Sequence, residues 1–497
     1  MKNHKSLVNS VVKVLVTSQS YIVDEPWQRE SLRRGSGSGV YITVDGRGYI
    51  LTAAHVVADA KLVQIQTPHT NQKMKVEIEL VAHECDLALL RVDDAEMRAA
   101  DMTPAELAAR DFLPELTDDV HAIGFPVGGE QISITKGVVS RIEIQQYAHS
   151  RVNLLAVTVD AAVNPGNSGG PAFQDGSVIG IVIQGMGFFA ENINHIVPTF
   201  VVHHILDSFK QKKEDHRFPH LGIHWQKLEN RLLRDQLNLA DNQCGVLVRD
   251  IEYSEDSKTS ACAVLKKHDV LVEIDGTPVH CDGTVQFSHI RTNLDIVVHK
   301  HFLGDTVPLK IIRNGKQMDV KFRLEPLRRL VPKPQYDMEP RYALFRGFLF
   351  QPLTANFLQG SHSFGGRSSY TTLKYLYQSG HLSEDRKEVV VFSNIFEDTD
   401  SVSFKDLLWK PIVCVNGEKF RDLDAFVALV DRSLANEETR GYTKIETECG
   451  SILVFTRESH EKARREVYPE YNITNERNLK VQKSVSKLAT EGGDENE

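Results

Sequence analysis

The spacing of short apolar segments over residues 1–209 constrains the fold more than any other feature of the sequence. Segments such as GYILTAA, KVEIELVA and SVIGIVIQG are rich in Val, Ile and Leu and are separated by Gly, Asn, Asp and Pro. Many short strands at regular spacing are typical of all-β domains. The pattern therefore predicts one β-barrel or a pair of barrels. A helix should follow at about 198–209, where Pro198 and Thr199 are start signals.

The rest of the chain divides into further domains, because 497 residues are too many for one hydrophobic core. An apolar strand that ends in a D-G or N-G turn occurs twice, as DVLVEIDGTPV and KPIVCVNGEKF, and indicates an internal repeat. We predict a first domain at 1–209, a charged linker at 210–217, strand-rich domains at 218–327 and 340–459, and a polar, disordered tail at 460–497.

The charge of the chain excludes several classes of partner. A formal net charge of −9 provides no basic footprint for nucleic acid or for an anionic membrane surface. No stretch approaches the roughly 18 apolar residues that would span a membrane. We therefore expect no nucleic-acid partner and no membrane partner. Histidine pairs such as His203-His204 lack supporting carboxylates or cysteines, and no phosphate-binding loop occurs, so no metal and no other cofactor is expected.

The cysteines and the N-terminus bear on the compartment. Six cysteines are scattered without a C-x-x-C pair, which predicts free thiols in a reducing compartment, most of them buried. The first twenty residues lack the continuous apolar region and small-residue cleavage site of an export signal. We therefore expect a protein that is not classically secreted and is cytoplasmic, with nuclear, organellar or effector-type delivery as open alternatives.

The segment GNSGGP at 166–171 carries the strongest chemical signal. It lies between two predicted strands, and its small residues would let a carbonyl carbon approach Ser168. The backbone N–H groups of Gly166 and Ser168 would point at the developing oxyanion, where each donor is typically worth on the order of 10²–10³ in rate. We therefore predict a nucleophile at Ser168 and an oxyanion hole formed by Gly166 and Ser168.

A serine nucleophile needs a base that takes its proton, and the base needs a group that orients it. His55 closes the predicted strand GYILTAAH, and Asp86 begins the apolar strand DLALLRV. A semi-buried carboxylate at Asp86 would be costly without a partner, and His55 supplies one. The order His, Asp, Ser along the chain is that of chymotrypsin-type enzymes. The predicted triad is therefore His55, Asp86 and Ser168.

Several segments resemble, in order and spacing, the HtrA/Deg family of serine proteases: GSGSGVYI, GYILTAAHVV, CDLALLRV, GFPVGGEQISITKGVVSRIE, VDAAVNPGNSGGPAF and ENINHIVPTFVV. They cover essentially the first 209 residues. The two later strand-rich units resemble PDZ domains, and the layout is most similar to plant-type Deg proteases without an export signal. The resemblance implies a mainly β protein. Its chymotrypsin-like protease domain would have two six-stranded barrels with the triad between them, followed by two PDZ-like α+β domains.

By the same resemblance, Ala162, Ile183, Gln184 and Gly185 should line the primary specificity pocket. Ala162 at its base carries no charge, so a small or medium apolar P1 residue is expected. The family usually has Gly where Asn194 stands here, and this departure bears on the shape of the pocket. Because Asn tolerates left-handed backbone better than most residues, the loop could keep the family's conformation.

The first PDZ-like domain should add an extended peptide to a sheet edge, and a backbone nest should receive the terminal carboxylate. The alternative is a domain that only packs against the protease. For the second PDZ-like domain that alternative is favoured, because the loop around Phe345–Phe350 lacks the usual Gly-apolar-Gly form. An oligomer contact is another role for it. The predicted nest of the first domain comprises His220, Leu221, Gly222 and Ile223.

The predicted function is ATP-independent cleavage of unfolded or specific regulatory proteins through an acyl-enzyme, with protein or peptide substrates as partners. The alternative is a chaperone or scaffold whose PDZ units bind clients while the protease site is latent. Family members assemble from trimers through an N-terminal segment that bears aromatic residues. Tyr21 and Trp27 are therefore candidates for contacts in a trimer or a multiple of trimers, and burial within one subunit would explain them equally well.

Overall fold

The structure is a computed structural model of the chain. It describes residues 7–127, 129, 131–161, 165–183, 194–240, 242–255, 258–360, 367–396 and 402–480. Contacts between residues group the chain into two units. The first contains Met1–Ser18 and Leu32–Leu327, and the second contains Gln19–Ser31 and Arg328–Ser484.

The first unit opens with an antiparallel sheet of seven strands in the order β5-β4-β1-β2-β3-β7-β6. Alternation along β1 places Val12, Val14 and Val16 in one buried cluster with Ile50. The seventh strand, where six were expected, is the three-residue β5, which pairs at the sheet edge with β4. The elements are β1 (Val11–Ser18), β2 (Arg33–Val44), β3 (Arg47–Thr52), α1 (Ala54–Val57), β4 (Ala60–Gln66), β5 (Lys73–Lys75), β6 (Glu77–Ala82), β7 (Leu87–Arg91) and α2 (Asp94–Ala99).

A closed six-stranded barrel follows, in the order β10-β13-β12-β11-β8-β9. The helix expected at about 198–209 is confirmed as Thr199–Lys210, and it begins directly after Pro198. Its apolar residues Phe200, Val201, Ile205 and Leu206 are buried in the core of the first unit. The elements are β8 (Asp119–Gly124), β9 (Ser133–Gln146), β10 (Asn153–Val159), β11 (Pro171–Gln174), β12 (Ser177–Ile183), β13 (Asn194–Pro198) and α3 (Thr199–Lys210).

Residues 218–327 form a second sheet within the first unit, in the order β15-β16-β17-β21-β22, with β18 paired to β17. The D-G turn joins β17 to β18, and Asp275 and Gly276 both have positive φ (47° and 73°), as a type I′ hairpin requires. The elements are β14 (Pro219–His220), β15 (Ile223–Lys227), α4 (Arg231–Gln236), β16 (Val246–Ile251), α5 (Ala261–Val264), β17 (Val270–Ile274), β18 (Thr277–Pro278), β19 (Thr284–Phe287), β20 (Ile290–Asn293), α6 (Asp295–Val298), β21 (Thr306–Arg313), β22 (Lys316–Arg323) and β23 (Glu325–Pro326).

Helix α3 and this second sheet share one hydrophobic core, with two histidines buried beside it. The ring of His204 stacks on Phe218 and Phe302, at centroid distances of 4.2 and 4.5 Å, and His299 meets Phe218 edge-on. Neither ring nitrogen of His204 or His299 has a hydrogen-bond partner among the described residues. Burial lowers the pKa of each to about 3, so both rings are held neutral.

We expect these two histidines to make the first unit acid-labile. A histidine in the unfolded chain gains a proton below a pKa near 6.5, whereas His204 and His299 stay neutral down to about 3. The unfolded state therefore binds more protons in that window, and stability present above pH 6.5 is lost as the pH falls toward 3. At pH 5.5 the pair should cost about 2.5 kcal/mol relative to neutral pH. Urea unfolding at the two pH values measures the loss.

His204→Phe keeps an aromatic ring in the stack and removes one titrating group. The acid-dependent loss of unfolding free energy should therefore be smaller than in the wild type by about half of the contribution of the pair. The exposed His280 offers a matched control, and His280→Gln should leave the loss unchanged. Equal acid sensitivity in His204→Phe and wild type would contradict the assignment.

The second unit contains two four-stranded sheets, β26-β25-β24-β31 and β28-β27-β29-β30. The N-G turn of the sequence repeat joins β27 to β28, with positive φ at Asn416 and Gly417 (50° and 82°), so both copies of the repeat form the same hairpin. The elements are β24 (Tyr342–Phe345), β25 (Phe348–Pro352), α7 (Ala355–Gly360), α8 (Arg367–Ser379), β26 (Val390–Ile395), β27 (Ile412–Val415), β28 (Glu418–Lys419), α9 (Leu423–Ala435), β29 (Thr443–Thr447), β30 (Ile452–Phe455), α10 (Arg457–Glu470) and β31 (Arg477–Asn478).

The segment around Phe345–Phe350 is a tight hairpin rather than an open loop. Phe345 pairs with Phe348 across Arg346 and Gly347, both of which have positive φ. Strand β25 is thereby paired with β24 on one edge and with β26 on the other. Within the described residues, neither edge of β25 is open for an added peptide strand. The packing role expected for this domain stays a prediction.

The segment Gln19–Ser31 leaves the first sheet after β1 and belongs to the second unit. The ring of Trp27 lies 5.8 Å from that of Tyr342 and 5.1 Å from that of Phe396. The hydroxyl of Tyr21 donates to Glu339 at 2.9 Å. Tyr21 and Trp27 were candidates for contacts between subunits. In the structure both residues contact partners within the same chain, since the second unit supplies the aromatic rings and the carboxylate.

The predicted disorder from residue 460 is wrong as far as residue 480. Helix α10 begins with a capping box between Thr456 and Ser459. It buries Ala463, Val467 and Tyr468 in one cluster, at spacings that place them on one helix face. The polar composition of the segment concealed this short apolar stripe. Residues 481–497 lie outside the described part of the chain.

Candidate active site

His55 and Asp86 are joined by two hydrogen bonds. His55 lies in the four-residue helix α1, directly after strand β3. Its backbone N–H donates to Asp86 Oδ1 and its ring Nδ1 lies against Asp86 Oδ2, each at 2.8 Å. Asp86 has left-handed backbone (φ 56°) at the end of the short 3₁₀ turn His83–Cys85, which aims its carboxylate away from β7 and toward the ring. Because a carboxylate only accepts, Nδ1 is the protonated nitrogen and Nε2 is left to act as a base.

Each of the two groups stabilises the charged form of the other. Burial alone would lower the pKa of His55, but the charge and the hydrogen bond of Asp86 outweigh it, so the pKa lies above its ordinary value of 6.5. Burial likewise would raise the pKa of Asp86, whose side chain is only 3% exposed. The charge and hydrogen bond of His55 prevail and lower it. The pair is thus an ionised carboxylate beside a strengthened base.

The GNSGGP turn requires glycine at two positions. Gly166 has φ of +101°, and a Cβ there would lie 2.5 Å from Phe125 O and Val127 N. Gly169 has φ of +84°, and a Cβ there would lie 2.3 Å from Ser38 O. Only a residue without a side chain fits either place. The turn is therefore packed against the neighbouring backbone on both sides of Ser168.

Ser38 in β2 positions this turn, and sequence reasoning missed it. Its hydroxyl donates to Gly166 O at 2.7 Å and accepts from Phe125 N at 2.8 Å. Its backbone N–H donates to Ser168 O at 2.8 Å. Strand β2 pairs directly with β3, which leads into His55. Ser38 thus fixes the Ser168 turn to strands β2 and β3, which position His55. The sequence signal for this role was the position of Ser38 between Gly37 and Gly39. At both glycines a Cβ would lie less than 3 Å from a neighbouring side chain.

A second histidine lies beside the pair and was also missed. His149, in the turn between β9 and β10, has its ring centroid 6.1 Å from that of His55. Its Nε2 lies 2.9 Å from Nδ1 of His83, in the 3₁₀ turn before Asp86. The hydroxyl of Ser150 donates to Glu84 O at 2.7 Å and anchors the same turn. The charge of His149 contributes to the lowered pKa of Asp86.

Of the residues predicted to line the specificity pocket, Ala162, Gln184 and Gly185 lie outside the described residues. Ile183 is the last residue of β12 and is buried. Asn194 begins β13 in strand conformation, and its side-chain amide donates to Ala161 O at 2.8 Å. The residue that departs from the family's glycine is therefore held by a hydrogen bond rather than by left-handed backbone.

The predicted carboxylate nest lies between β14 and β15. His220 closes β14, Leu221 is buried, and Ile223 opens β15. Gly222 has φ of +64°, and its carbonyl accepts from Glu252 N at 2.9 Å. The four residues therefore form one turn at the start of a strand, and their role in binding a peptide stays a prediction.

Comparison with known protein families finds matches to three segments of the chain. A profile for the trypsin-like peptidase domain matches residues 37–181. Two PDZ-domain profiles match residues 219–324 and 331–479. None of the helices in the described part of the chain is long and apolar enough to cross a membrane.

Two curated relatives come from Arabidopsis thaliana. Protease Do-like 2, chloroplastic, is 34% identical over 95% of this chain and 75% of its own length. Protease Do-like 4, mitochondrial, is 38% identical over 71% of this chain and 66% of its own length. Among solved structures, the HtrA-type protease AlgWS227A with a decapeptide superimposes with a TM-score of 0.50 at 20% identity. That match covers 67% of this chain and 97% of that one. The chain therefore belongs to the HtrA/Deg family of serine proteases, with a trypsin-like peptidase domain followed by two PDZ domains.

Proposed function

We propose that His55, Asp86 and Ser168 are the catalytic triad of an ATP-independent endopeptidase. The observation that carries the proposal is the double hydrogen bond between His55 and Asp86, set beside the glycine turn that holds Ser168. A buried carboxylate that accepts from both the backbone and the ring of one histidine fixes its tautomer. Ser38 supports the geometry, because it ties the Ser168 turn to strands β2 and β3.

In the first half of the reaction, Ser168 Oγ attacks the carbonyl carbon of the scissile peptide bond while Nε2 of His55 takes its proton. Asp86 stabilises the resulting imidazolium, which then gives the proton to the leaving amine. In the second half, water attacks the acyl-enzyme, His55 accepts a proton from it, and Ser168 is released with a proton returned from His55. The two halves together consume one water for each bond cleaved.

The negative charge on the tetrahedral intermediate needs donors, and the N–H groups of Gly166 and Ser168 are assigned to it. No acceptor within the described residues takes up either N–H. The positive φ of Gly166 sets the direction of the peptide plane that carries the first donor. Preorganised donors are effective because they need no rearrangement as the charge develops.

The preferred substrates are unfolded or specific regulatory proteins with a small or medium apolar residue at P1. The uncharged Ala162 and the apolar Ile183 support this preference. We assign the first PDZ domain to the capture of extended peptide ends at His220, Leu221, Gly222 and Ile223. We also propose assembly into a trimer or a multiple of trimers, which family membership supports and which sedimentation tests. A cytoplasmic location stays a prediction, since the two plant relatives are named as a chloroplastic and a mitochondrial protein.

The test is digestion of casein with mapped cut sites, together with labelling by a serine-directed phosphonate. The wild-type chain should cut after small or medium apolar residues, and the phosphonate should attach to Ser168. If casein stays intact and no label appears, even with added C-terminal peptides that engage a PDZ domain, the proposal fails in favour of the latent chaperone. Family membership and the intact site residues disfavour that alternative.

We expect kcat/KM to fall on acidification with a midpoint above pH 6.5. His55 acts as the base only when neutral, and Asp86 raises its pKa. Below that pKa, kcat/KM should decrease about tenfold for each pH unit. Because His204 and His299 predict acid unfolding in the same range, each sample is returned to neutral pH and assayed again. Recovery excludes irreversible inactivation, and a circular dichroism spectrum that is unchanged at the acid pH excludes unfolding. Loss of activity in a folded, recoverable sample identifies titration of His55, and a midpoint below 6.5 would contradict the proposed pairing.

A further inference from the structure

Two cysteines in the first PDZ domain are placed side by side by the fold. Cys244 lies just before β16 and Cys281 lies between β18 and β19, 37 positions apart in sequence. Their Sγ atoms are 3.0 Å apart, closer than any other pair among the six cysteines, all of which the structure describes. Only Cys85 and Cys414 are buried, so the expectation that most thiols are buried is wrong.

The backbone on both sides of this pair is fixed by the sheet. The carbonyl of Cys281 accepts from Leu228 N at 2.8 Å, directly after β15. The residue after Cys244 is Gly245, where a Cβ would lie 2.4 Å from Leu271 O, so the strand lies tightly against β17. The close approach of the two sulfurs is therefore set by the ladder rather than by mobile loops. A disulfide needs only a small further approach from such a position.

The two thiols differ in access. Cys244 is exposed, whereas Cys281 is partly buried and packs against the cluster that includes Leu228 and Leu247. Among the other exposed cysteines, Cys262 contacts the hydroxyl of Ser260, and Cys449 contacts Thr447 and Ser451. When an oxidant reacts with the exposed Cys244, the thiol of Cys281 is therefore already in contact with it.

We propose that Cys244 and Cys281 form a reversible dithiol–disulfide site. With hydrogen peroxide as oxidant, the Cys244 thiolate attacks one peroxide oxygen, and a sulfenic acid and one water result. The sulfur of Cys281 then displaces the sulfenic oxygen, which leaves as a second water. Two thiols lose two electrons and two protons in total, and one peroxide is reduced to two waters. A dithiol reductant reverses the change by thiol–disulfide exchange.

The disulfide would clamp the sheet that carries the predicted peptide strand. Lys227 of β15 pairs with Val246 of β16, and the two cysteines lie just beyond this pair. The predicted nest lies at the other end of β15, so a clamp here holds the strand without occupying the nest. Closing a loop of this length restricts the unfolded chain, and the melting temperature of the domain should rise on the order of 10 °C.

The experiment uses the full chain, reduced, desalted and then treated with equimolar hydrogen peroxide. Remaining thiols are blocked with N-ethylmaleimide, and the peptides are mapped by mass spectrometry with and without reductant. We expect a Cys244–Cys281 linked peptide, two hydrogens lighter than its parts, which disappears on reduction. The oxidised chain should also melt higher than the reduced chain.

Three variants make the result specific. Cys244→Ser, at an exposed position, and Cys281→Ser should each abolish the linked peptide and the oxidation-dependent rise in melting temperature. Cys262→Ser removes another exposed cysteine of the same domain and should retain both. The proposal is overturned if N-ethylmaleimide modifies both Cys244 and Cys281 after oxidation. It is also overturned if either of them is linked to Cys262. Because neither readout measures proteolysis, failure here is independent of the proposed triad.

Discussion

Ser168→Ala should lower kcat for peptide-bond cleavage by about 10⁶-fold and leave the fold unchanged. The substitution removes a single oxygen, the proposed nucleophile. The contact that holds the turn uses the backbone carbonyl of Ser168, which accepts from Ser38 N at 2.8 Å and is retained. The glycine conformations at Gly166 and Gly169 do not depend on the hydroxyl either. Activity should therefore vanish without a loss of stability.

The assay compares wild type and variant on casein, with the melting temperature measured on the same samples. Ser140→Ala serves as the matched control, because it deletes a hydroxyl of the same barrel that donates to Thr158 O at 3.1 Å. It should cleave at close to the wild-type rate. Comparable cleavage by Ser168→Ala would show that another residue is the nucleophile, and a large fall in melting temperature would assign Ser168 a structural role.

Much of the site could be predicted because its chemistry is concentrated in short segments. The GNSGGP segment requires two glycines with positive φ, and strand ends at His55 and Asp86 could be read from local apolar runs. The D-G and N-G turns are equally local, since a type I′ hairpin selects those residues. In each case the residue type and the conformation are linked over a few positions.

Other features could not be predicted because they depend on distant partners. The role of Ser38 depends on Gly166 and Phe125, which lie 128 and 87 positions away. Trp27 lies near the N-terminus, yet its aromatic partners lie beyond residue 340. His149 could not be assigned a role from sequence because it contacts the 3₁₀ turn before Asp86 only through a turn of the closed barrel. The spacing of apolar residues indicates which residues can be buried, but it does not identify the distant residues that they contact.

Asp86→Asn should lower kcat by about 10⁴-fold, the second-largest effect expected of a single change. An asparagine can keep one oxygen on the backbone N–H of His55, where Asp86 Oδ1 now accepts at 2.8 Å. Its amide nitrogen then faces Nδ1 and donates to it. The imidazole proton is driven to Nε2, so the nitrogen that must take the proton of Ser168 is already occupied. The geometry survives and the base is lost.

The pH profile distinguishes this effect from simple disruption. Asp86 raises the pKa of His55 by its charge and its hydrogen bond, whereas burial lowers it. Without the carboxylate only the lowering influence remains, so the residual activity of Asp86→Asn should have its acid midpoint below that of the wild type. Asp160→Asn is a matched control, because Asp160 accepts from the backbone N–H of Val138 and lies on an exposed turn. It should retain wild-type activity and midpoint. An unshifted midpoint in Asp86→Asn would mean that the base is not His55, or that its partner is another group.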